Sequence, residues 1–389
     1  MEMKTQRLSL DRISALPDTI IEHILTLMPI RDATKTSILS KKWRYSWRSM
    51  PKLVFTDDMV EVEPIHDNGQ LKKYKLANAI FQVVLFHNGP AILVFNCWVR
   101  PLVLDSEFSQ TISYLAMGNT VKELIFINDN FNKLPVSFFS LQGLELIQLV
   151  NCTFVPPSTF DGFSRLKSMT FFNVKVSAQM LRQFLCKCPL LEHITLKGYQ
   201  EGIHFVTGEN KFTFFDLLKC VPLIRSLEIS IYYMKYLSAG GMPRKLPTSL
   251  VHLKHLSLVI CMAKQNDISS ALCIIRSSPL LAKISFKMYD DEKLRLQQNS
   301  TNVLDPDDFS DLNVGHLETL EIERFSNLPL EMEFVKLIMA KAPVLKKVRI
   351  ELDDYVSVDE ELKILRDLVH LPFPRAPTAK LTIRRSEAC

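Results

Sequence analysis

The feature that most constrains the fold is a layout that recurs around four prolines. Pro189, Pro222, Pro279 and Pro343 each follow a segment with apolar residues eight, five and four positions before the proline. That spacing is typical of one face of a helix, whereas apolar residues at every second position after each proline are typical of a strand with one buried face. A proline cannot continue a helix. Each unit is therefore predicted to be a helix, a proline stop and a strand.

The strand half of this unit recurs more widely, as apolar residues at positions x, x+3 and x+5. The triplets start at Val121, Leu144, Leu166, Leu191, Ile224, Leu253, Leu281, Leu317 and Leu345. Their spacing is typical of leucine-rich repeats that carry insertions. The sequence thus predicts an α/β solenoid, a leucine-rich-repeat horseshoe with parallel strands on its concave face and helices on its convex face.

Composition narrows the class of function. Only 11 of the 389 residues are glycine, and no glycine-rich phosphate loop, GxSxG motif or HExxH motif occurs. We therefore expect no catalytic residues, no cofactor and no enzymatic activity. The longest apolar stretch is interrupted at His87–Pro90, so no membrane association is expected. The N-terminus does not resemble a signal peptide, which leads us to expect the cytoplasm and/or the nucleus and reduced cysteines.

One stretch, "FLCKCPLLEHITL", suggests a metal site because it contains Cys186, Cys188 and His193. Residues two apart on a helix point about 200° away from each other, so the two cysteines cannot bind one ion if the helix runs to Pro189. No second cluster supplies further ligands. The sequence predicts buried structural thiols and no metal.

The first fifty residues form a separate unit with three predicted helical segments, the third beginning near Ser40. They hold nine Lys and Arg against five Asp and Glu, which accounts for most of the net charge of +5. From the residues alone, their broad apolar stripe either completes its burial on a partner helix or packs on the solenoid. Their basic run indicates a solvated or partner-steering face more than a nucleic-acid site.

The segment "LPDTIIEHILTLMPIRDATKTSILSKKWRYSW" closely resembles the F-box, especially its plant form. That resemblance implies binding to the Skp-type linker of a cullin–RING ubiquitin ligase. The contacts it implies are Leu16, Pro17, Ile20, Ile24, Leu25, Ile38, Leu39 and Trp43.

The C-terminal segment, from "VKLIMAKAPVLKKVRIEL" to "PFPRAPTAKLTI", resembles the FBD domain of plant F-box/leucine-rich-repeat proteins, with "PRAP" in place of the typical "PRAS". The predicted organisation has five parts. These are a flexible N-terminus (1–10), an F-box (11–51), a connecting segment (52–90), leucine-rich repeats (91–330) and an FBD domain that continues the repeats (331–389).

In such a solenoid, positions x+2 and x+4 of each strand face the concave side. These positions become more polar along the chain, which suggests that the later repeats bind a target protein. The candidate substrate-binding residues are His193, Thr195, Glu228, His255, Lys283, Lys347 and Arg349.

These resemblances together imply a substrate-recognition subunit of a Skp–cullin–F-box ubiquitin ligase. Its expected partners are the Skp-type linker, through it the cullin–RING ligase, and a target protein. Two alternatives stay open: an F-box scaffold that acts outside the ligase, and a small-molecule receptor on the concave face. Neither nucleic acid nor a membrane is an expected partner.

Overall fold

The computed structural model describes residues 12–59, 70–98, 106–128, 131–198, 213–238, 241–289, 311–312, 314–369 and 380–385. The chain divides into two compact units, Met1–Arg165 and Leu166–Cys389. We describe each unit by itself.

The first unit begins with short helices. Helix α1 spans Asp18–Thr26 and α2 spans Ile30–Lys35, and 3₁₀ turns follow at Thr36–Ile38 and Trp43–Ser49. The third predicted segment is thus a 3₁₀ helix. It packs against α1, so the helices form a small core of their own.

The residues described in the first unit also form four parallel strands and two longer helices. The strands are β1 (Lys52–Thr56), β2 (Val94–Trp98), β3 (Glu123–Ile127) and β4 (Leu146–Val150), and the helices are α3 (Gln70–Leu85) and α4 (Ser106–Gly118). Each strand pairs in parallel with the next. Because β1 and α3 lie within 52–90, that segment is part of the repeat architecture and not simply a connection.

Backbone hydrogen bonds join the end of the helical segment to the first strands. The carbonyl of Arg48 accepts the amides of Asn88 and Gly89, and the carbonyl of Pro51 accepts those of Leu93 and Val94. Gly89 lies so close that a Cβ there would stand 2.8 Å from the Cα of Ser49. Glycine is required at this position because no side chain fits.

The described residues of the second unit form eight parallel strands in chain order. They are β5 (Ser168–Phe172), β6 (His193–Lys197), β7 (Ser226–Ile229), β8 (His255–Ile260), β9 (Lys283–Met288), β10 (Thr319–Phe325), β11 (Lys347–Leu352) and β12 (Lys380–Arg385). Each pairs with the next one along the chain. The predicted parallel α/β repeat fold is confirmed.

Helices lie between most of these strands. They are α5 (Ala178–Cys186), α6 (Phe214–Cys220), α7 (Ile231–Leu237), α8 (Gln265–Arg276), α9 (Pro329–Ala340) and α10 (Val358–Val369). Helices α5, α6, α8 and α9 each end two to three residues before one of the four repeated prolines, and a strand follows. The predicted order of helix, proline and strand is therefore confirmed.

The predicted triplets mark the buried side of the sheet. In β6, for example, Leu191, Ile194 and Leu196 are all buried. Two further triplets with the same spacing lead into β1 and β2: Met50/Leu53/Phe55 and Ile92/Phe95/Cys97. The sequence prediction did not include these two triplets, although both fit the x, x+3, x+5 pattern.

Candidate protein-binding surfaces

Two of the predicted linker contacts lie inside the N-terminal helical segment. Leu25 is fully buried and Trp43 is 3% exposed, alongside the buried Ile21 and Ile30. An amphipathic stripe on so small a unit packs first against the unit's own helices. Leu25 and Trp43 therefore support the surface from beneath, and their prediction as contacts is corrected.

Other predicted contacts are on the surface. Ile38 is 88% exposed, Leu39 54% and Ile20 45%, while Pro17 is exposed and Leu16 and Ile24 are partly so. Exposed apolar side chains concentrated on a short helical segment are typical of a protein-interaction surface. We call Ile20, Leu27, Ile38 and Leu39 the apolar surface.

Leu27 belongs to this surface although it is not among the predicted contacts. Its side chain is 75% exposed just beyond the end of α1. Two residues past the buried Leu25, it falls on the opposite side of the helix axis. An apolar residue off the main stripe is the signal that could have identified it.

The basic residues of this segment are largely bound within the chain. Arg31 pairs with Asp58 at 3.1 Å, and Lys42 pairs with Asp18 at 3.1 Å. The guanidinium of Arg48 lies over the ring of Tyr45, 4.5 Å from its centroid. These contacts leave fewer basic side chains available to a phosphate backbone.

On the second unit, the alternate positions that the core does not bury form two rows across the strands, which we call the open face. Register pairs place His193, Ser226, His255, Lys283, Thr319, Lys347 and Lys380 in the first row, and Thr195, Glu228, Ser257, Ser285, Glu321, Arg349 and Thr382 in the second. All seven candidate substrate-binding residues lie in these rows, and none is buried.

Four charged residues of the open face, Glu228, Lys283, Glu321 and Arg349, form ion pairs. Glu228 accepts Lys197 Nζ at 2.8 Å and the Thr195 hydroxyl at 3.4 Å. Glu321, whose side chain is only 15% exposed, lies 2.7 Å from Lys283 Nζ and 3.9 Å from Arg349. Two of the three predicted basic contacts are thus partly neutralised.

Lys347 differs from Lys283 and Arg349. It is exposed and stands directly opposite Lys380 on β12, and no acidic partner approaches either lysine within the described part of the chain. Like charges placed opposite each other on adjacent strands disfavour the pairing. An anionic group bound at this position would relieve the repulsion.

The two predicted histidines of the first row lie two strands apart across the sheet. His193 and His255 both pair with Ser226, one from each side. The pKa of His255 lies below its ordinary value, first because of partial burial and then because of the charges of Lys283, His193 and Lys254. The open face therefore favours the neutral form of this ring.

The structure corrects the prediction for the cysteines of "FLCKCPLLEHITL". Cys188 is buried as predicted, but Cys186 is exposed and forms a disulfide with Cys220. The helix end at Cys186 points the two cysteines in different directions. No group of three or more His, Cys, Asp or Glu residues suited to a metal ion occurs among the residues with described positions.

A cavity of about 550 Å³ lies away from the open-face rows. Its lining is mostly apolar and comes from α6, the turn at Pro222 and residues 246–252. It therefore does not coincide with the ligand site predicted as an alternative on the strands.

Across the described ranges, no helix is long and apolar enough to span a membrane.

Sequence comparisons give three domain matches in order along the chain. The F-box domain matches residues 13–55, the leucine-rich repeats of the FBD-associated F-box protein At5g56370 match 110–212, and the FBD matches 314–350. The F-box match includes every residue of the apolar surface. The FBD match covers β10 and most of β11, so it begins earlier than predicted.

Relatives from Arabidopsis thaliana match nearly the whole chain. The F-box/FBD/LRR-repeat protein At1g13570 is 29% identical over 95% of this chain and 98% of its own length. The probable FBD-associated F-box protein At1g32375 is 21% identical over 96% of this chain and 99% of its own. The chain therefore contains an F-box domain, leucine-rich repeats and an FBD in that order, and it is similar over nearly its whole length to an Arabidopsis F-box/FBD/LRR-repeat protein.

Proposed function

We propose that this chain is the substrate-recognition subunit of a Skp–cullin–F-box ubiquitin ligase. Its F-box binds the Skp-type linker, and its open face binds a target protein. The exposure of Ile38 and Leu39 within the F-box match supports the proposed binding to the linker. We propose the cytoplasm and/or the nucleus as the place where it acts.

The apolar surface suits a constant partner. Burying one large apolar side chain in an interface contributes about 1.5–3 kcal/mol, and several together stabilise a lasting complex. The buried Leu25 and Trp43 hold the exposed residues in place from below. Such a surface needs little reorganisation when the linker binds.

The open face suits a partner recognised by charge and hydrogen bonds. Its paired carboxylates and cations, such as Glu321 with Lys283, fix the positions of groups that a target can contact. Charged complementarity of this kind contributes more to specificity than to raw affinity. Catalysis is then positional, since holding a target beside a charged conjugating enzyme raises the effective concentration of its lysines.

Co-purification with a Skp-type linker tests the first half. The double variant Ile38→Asp/Leu39→Asp should reduce linker binding more than tenfold, because two buried contacts of about 1.5–3 kcal/mol each are lost. The matched control is Met117→Asp on α4, which changes an apolar side chain that is 85% exposed outside the F-box match. Equal binding by both variants would exclude the apolar surface as the linker site.

Ubiquitin transfer separates the ligase from a plain scaffold. The reconstituted complex of full chain, linker, cullin and RING protein should ubiquitinate proteins captured from a plant extract. Transfer should depend on Ile38 and Leu39. Linker binding without any transfer would favour a scaffold that acts outside the ligase.

A further inference from the structure

Two cysteines meet on the surface of the second unit, at the ends of neighbouring helices. Cys186 is the last residue of α5, Cys220 is the last residue of α6, and the two helices pack together. A disulfide joins the cysteines, with their Cα atoms 4.4 Å apart. The exposure of Cys186 makes the bond accessible to small molecules in solution.

The other cysteines with described positions have a different character. Cys97, Cys152, Cys188, Cys261 and Cys273 are all buried. Burial raises the pKa of the Cys273 thiol to about 11, so little of it is in the reactive thiolate form near neutral pH. Cys188 is only two residues from Cys186, yet it occupies the core.

We propose that Cys186 and Cys220 form a reversible thiol–disulfide site that ties two neighbouring repeats together on the helical side of the sheet. The natural reagent class is a small-molecule disulfide. Lys187 and Lys219, each next to one of the cysteines, favour a reagent that carries carboxylates.

Oxidation proceeds by two exchange steps. The thiolate of the exposed Cys186 attacks one sulfur of the small-molecule disulfide, which forms a mixed disulfide and releases one thiol. The thiolate of Cys220 then attacks the sulfur of Cys186 and releases the second thiol. The protein loses two protons and two electrons, and the reagent gains both.

The bond encloses a substantial part of the repeat region. The cysteines are 34 residues apart, and the enclosed chain includes β6, whose Thr195 bonds to Glu228 on β7. The disulfide therefore holds the repeats of β6 and β7 together on the helical side of the sheet. The hydrogen bond between Thr195 and Glu228 joins the same two strands on the open face. Because the disulfide restricts the conformations of the unfolded chain, it should raise the melting temperature by on the order of 5 °C.

Peptide mapping of the full-length protein tests the site directly. The protein is equilibrated in buffers of oxidised or reduced glutathione, alkylated and digested with trypsin, which places Cys186 in peptide 183–187, Cys188 in 188–197 and Cys220 in 220–225. The expected result is a cross-linked pair of peptides 183–187 and 220–225 that forms in oxidised buffer and disappears in reduced buffer. The proposal would be overturned if both cysteines were alkylated as free thiols in oxidised buffer, or if Cys186 formed a disulfide with any other residue.

Matched serine variants test the effect of the bond. The difference in melting temperature between oxidised and reduced buffer should vanish in Cys186→Ser and persist in the neighbouring Cys188→Ser. A difference that persists in Cys186→Ser contradicts the proposed stabilisation. If either variant fails to fold, the peptide map of the unaltered chain still decides whether the bond forms.

Discussion

The F-box and the open face of the second unit present opposite chemistry to solvent. The F-box exposes Leu27, Ile38 and Leu39, which have no charge to attract a partner. The open face exposes ionisable side chains, and acidic residues such as Glu321 hold several of its cations. Binding at the apolar surface would be stabilised by burial of its side chains. Binding at the open face would be stabilised by partner charges that match charges already held in place.

This difference fits an adaptor that holds one partner constantly and another selectively. Apolar burial depends weakly on salt, while exposed charge pairs are screened by it. Linker binding should therefore survive high salt, and target binding should not. Three perturbations sharpen the contrast.

The largest expected effect comes from the layer beneath the apolar surface. Leu25→Ala should lower the free energy of unfolding by about 2–5 kcal/mol, because it opens a cavity in a fully buried position. Leu39→Ala on the surface should change it by only about 0.5 kcal/mol. Urea unfolding followed by tryptophan fluorescence measures both, since all three tryptophans lie within residues 43–98.

The two variants should behave in the reverse order in linker binding once both are folded. Leu39→Ala should weaken binding to the linker while changing the free energy of unfolding by only about 0.5 kcal/mol. Equal losses of stability would mean that Leu39 is part of the core and not of the interface.

A medium effect is expected where the open face is most shielded from water. Glu321→Gln removes the charge that holds Lys283 and Arg349, and should destabilise the fold by about 1 kcal/mol, an effect that shrinks in high salt. Glu318→Gln is the matched control, because Glu318 also lies 2.7 Å from a lysine but its pair with Lys346 is more than half exposed. Thermal unfolding at low and high salt measures the difference, and equal effects from both variants would contradict the role of burial.

The smallest effect concerns the His255 ring. Its pKa lies below the usual 6.5, so its contribution to stability is fully present above that pH and is lost as the pH falls through the lowered value. Lys283→Met should move the pKa of His255 up towards 6.5 without reaching it, because burial is the larger cause. NMR titration of the ring measures this shift.

Lys347→Met is the control for that titration. Lys347 lies in the same row but is not adjacent to His255, so the pKa of the ring should stay unchanged. A shift as large as that in Lys283→Met would point to a general effect of net charge on the open face.

The repeat fold could be predicted from the sequence because its signal is periodic. Each of the nine predicted triplets buries its x+3 and x+5 residues, and stacked repeats then bring the intervening positions, such as His193 and Ser226, into register. The surface of the F-box could be predicted only in part, since a stripe containing Leu25 and Ile20 does not reveal which residue faces the neighbouring helix. The meeting of Cys186 with Cys220 depends on how α5 and α6 stack, which spacing along the chain does not encode.

The hydrogen bonds from Asn88, Gly89, Leu93 and Val94 to the carbonyls of Arg48 and Pro51 have a practical consequence for protein engineering. A domain swap cut at residue 51 would expose Met50, which is fully buried, and leave two backbone carbonyls without their partners. Chimeras should keep residues 12–98 as one cassette, with Gly89 retained against Ser49. In this protein the helical segment of the F-box and the first strands belong to one compact unit, held together by these hydrogen bonds.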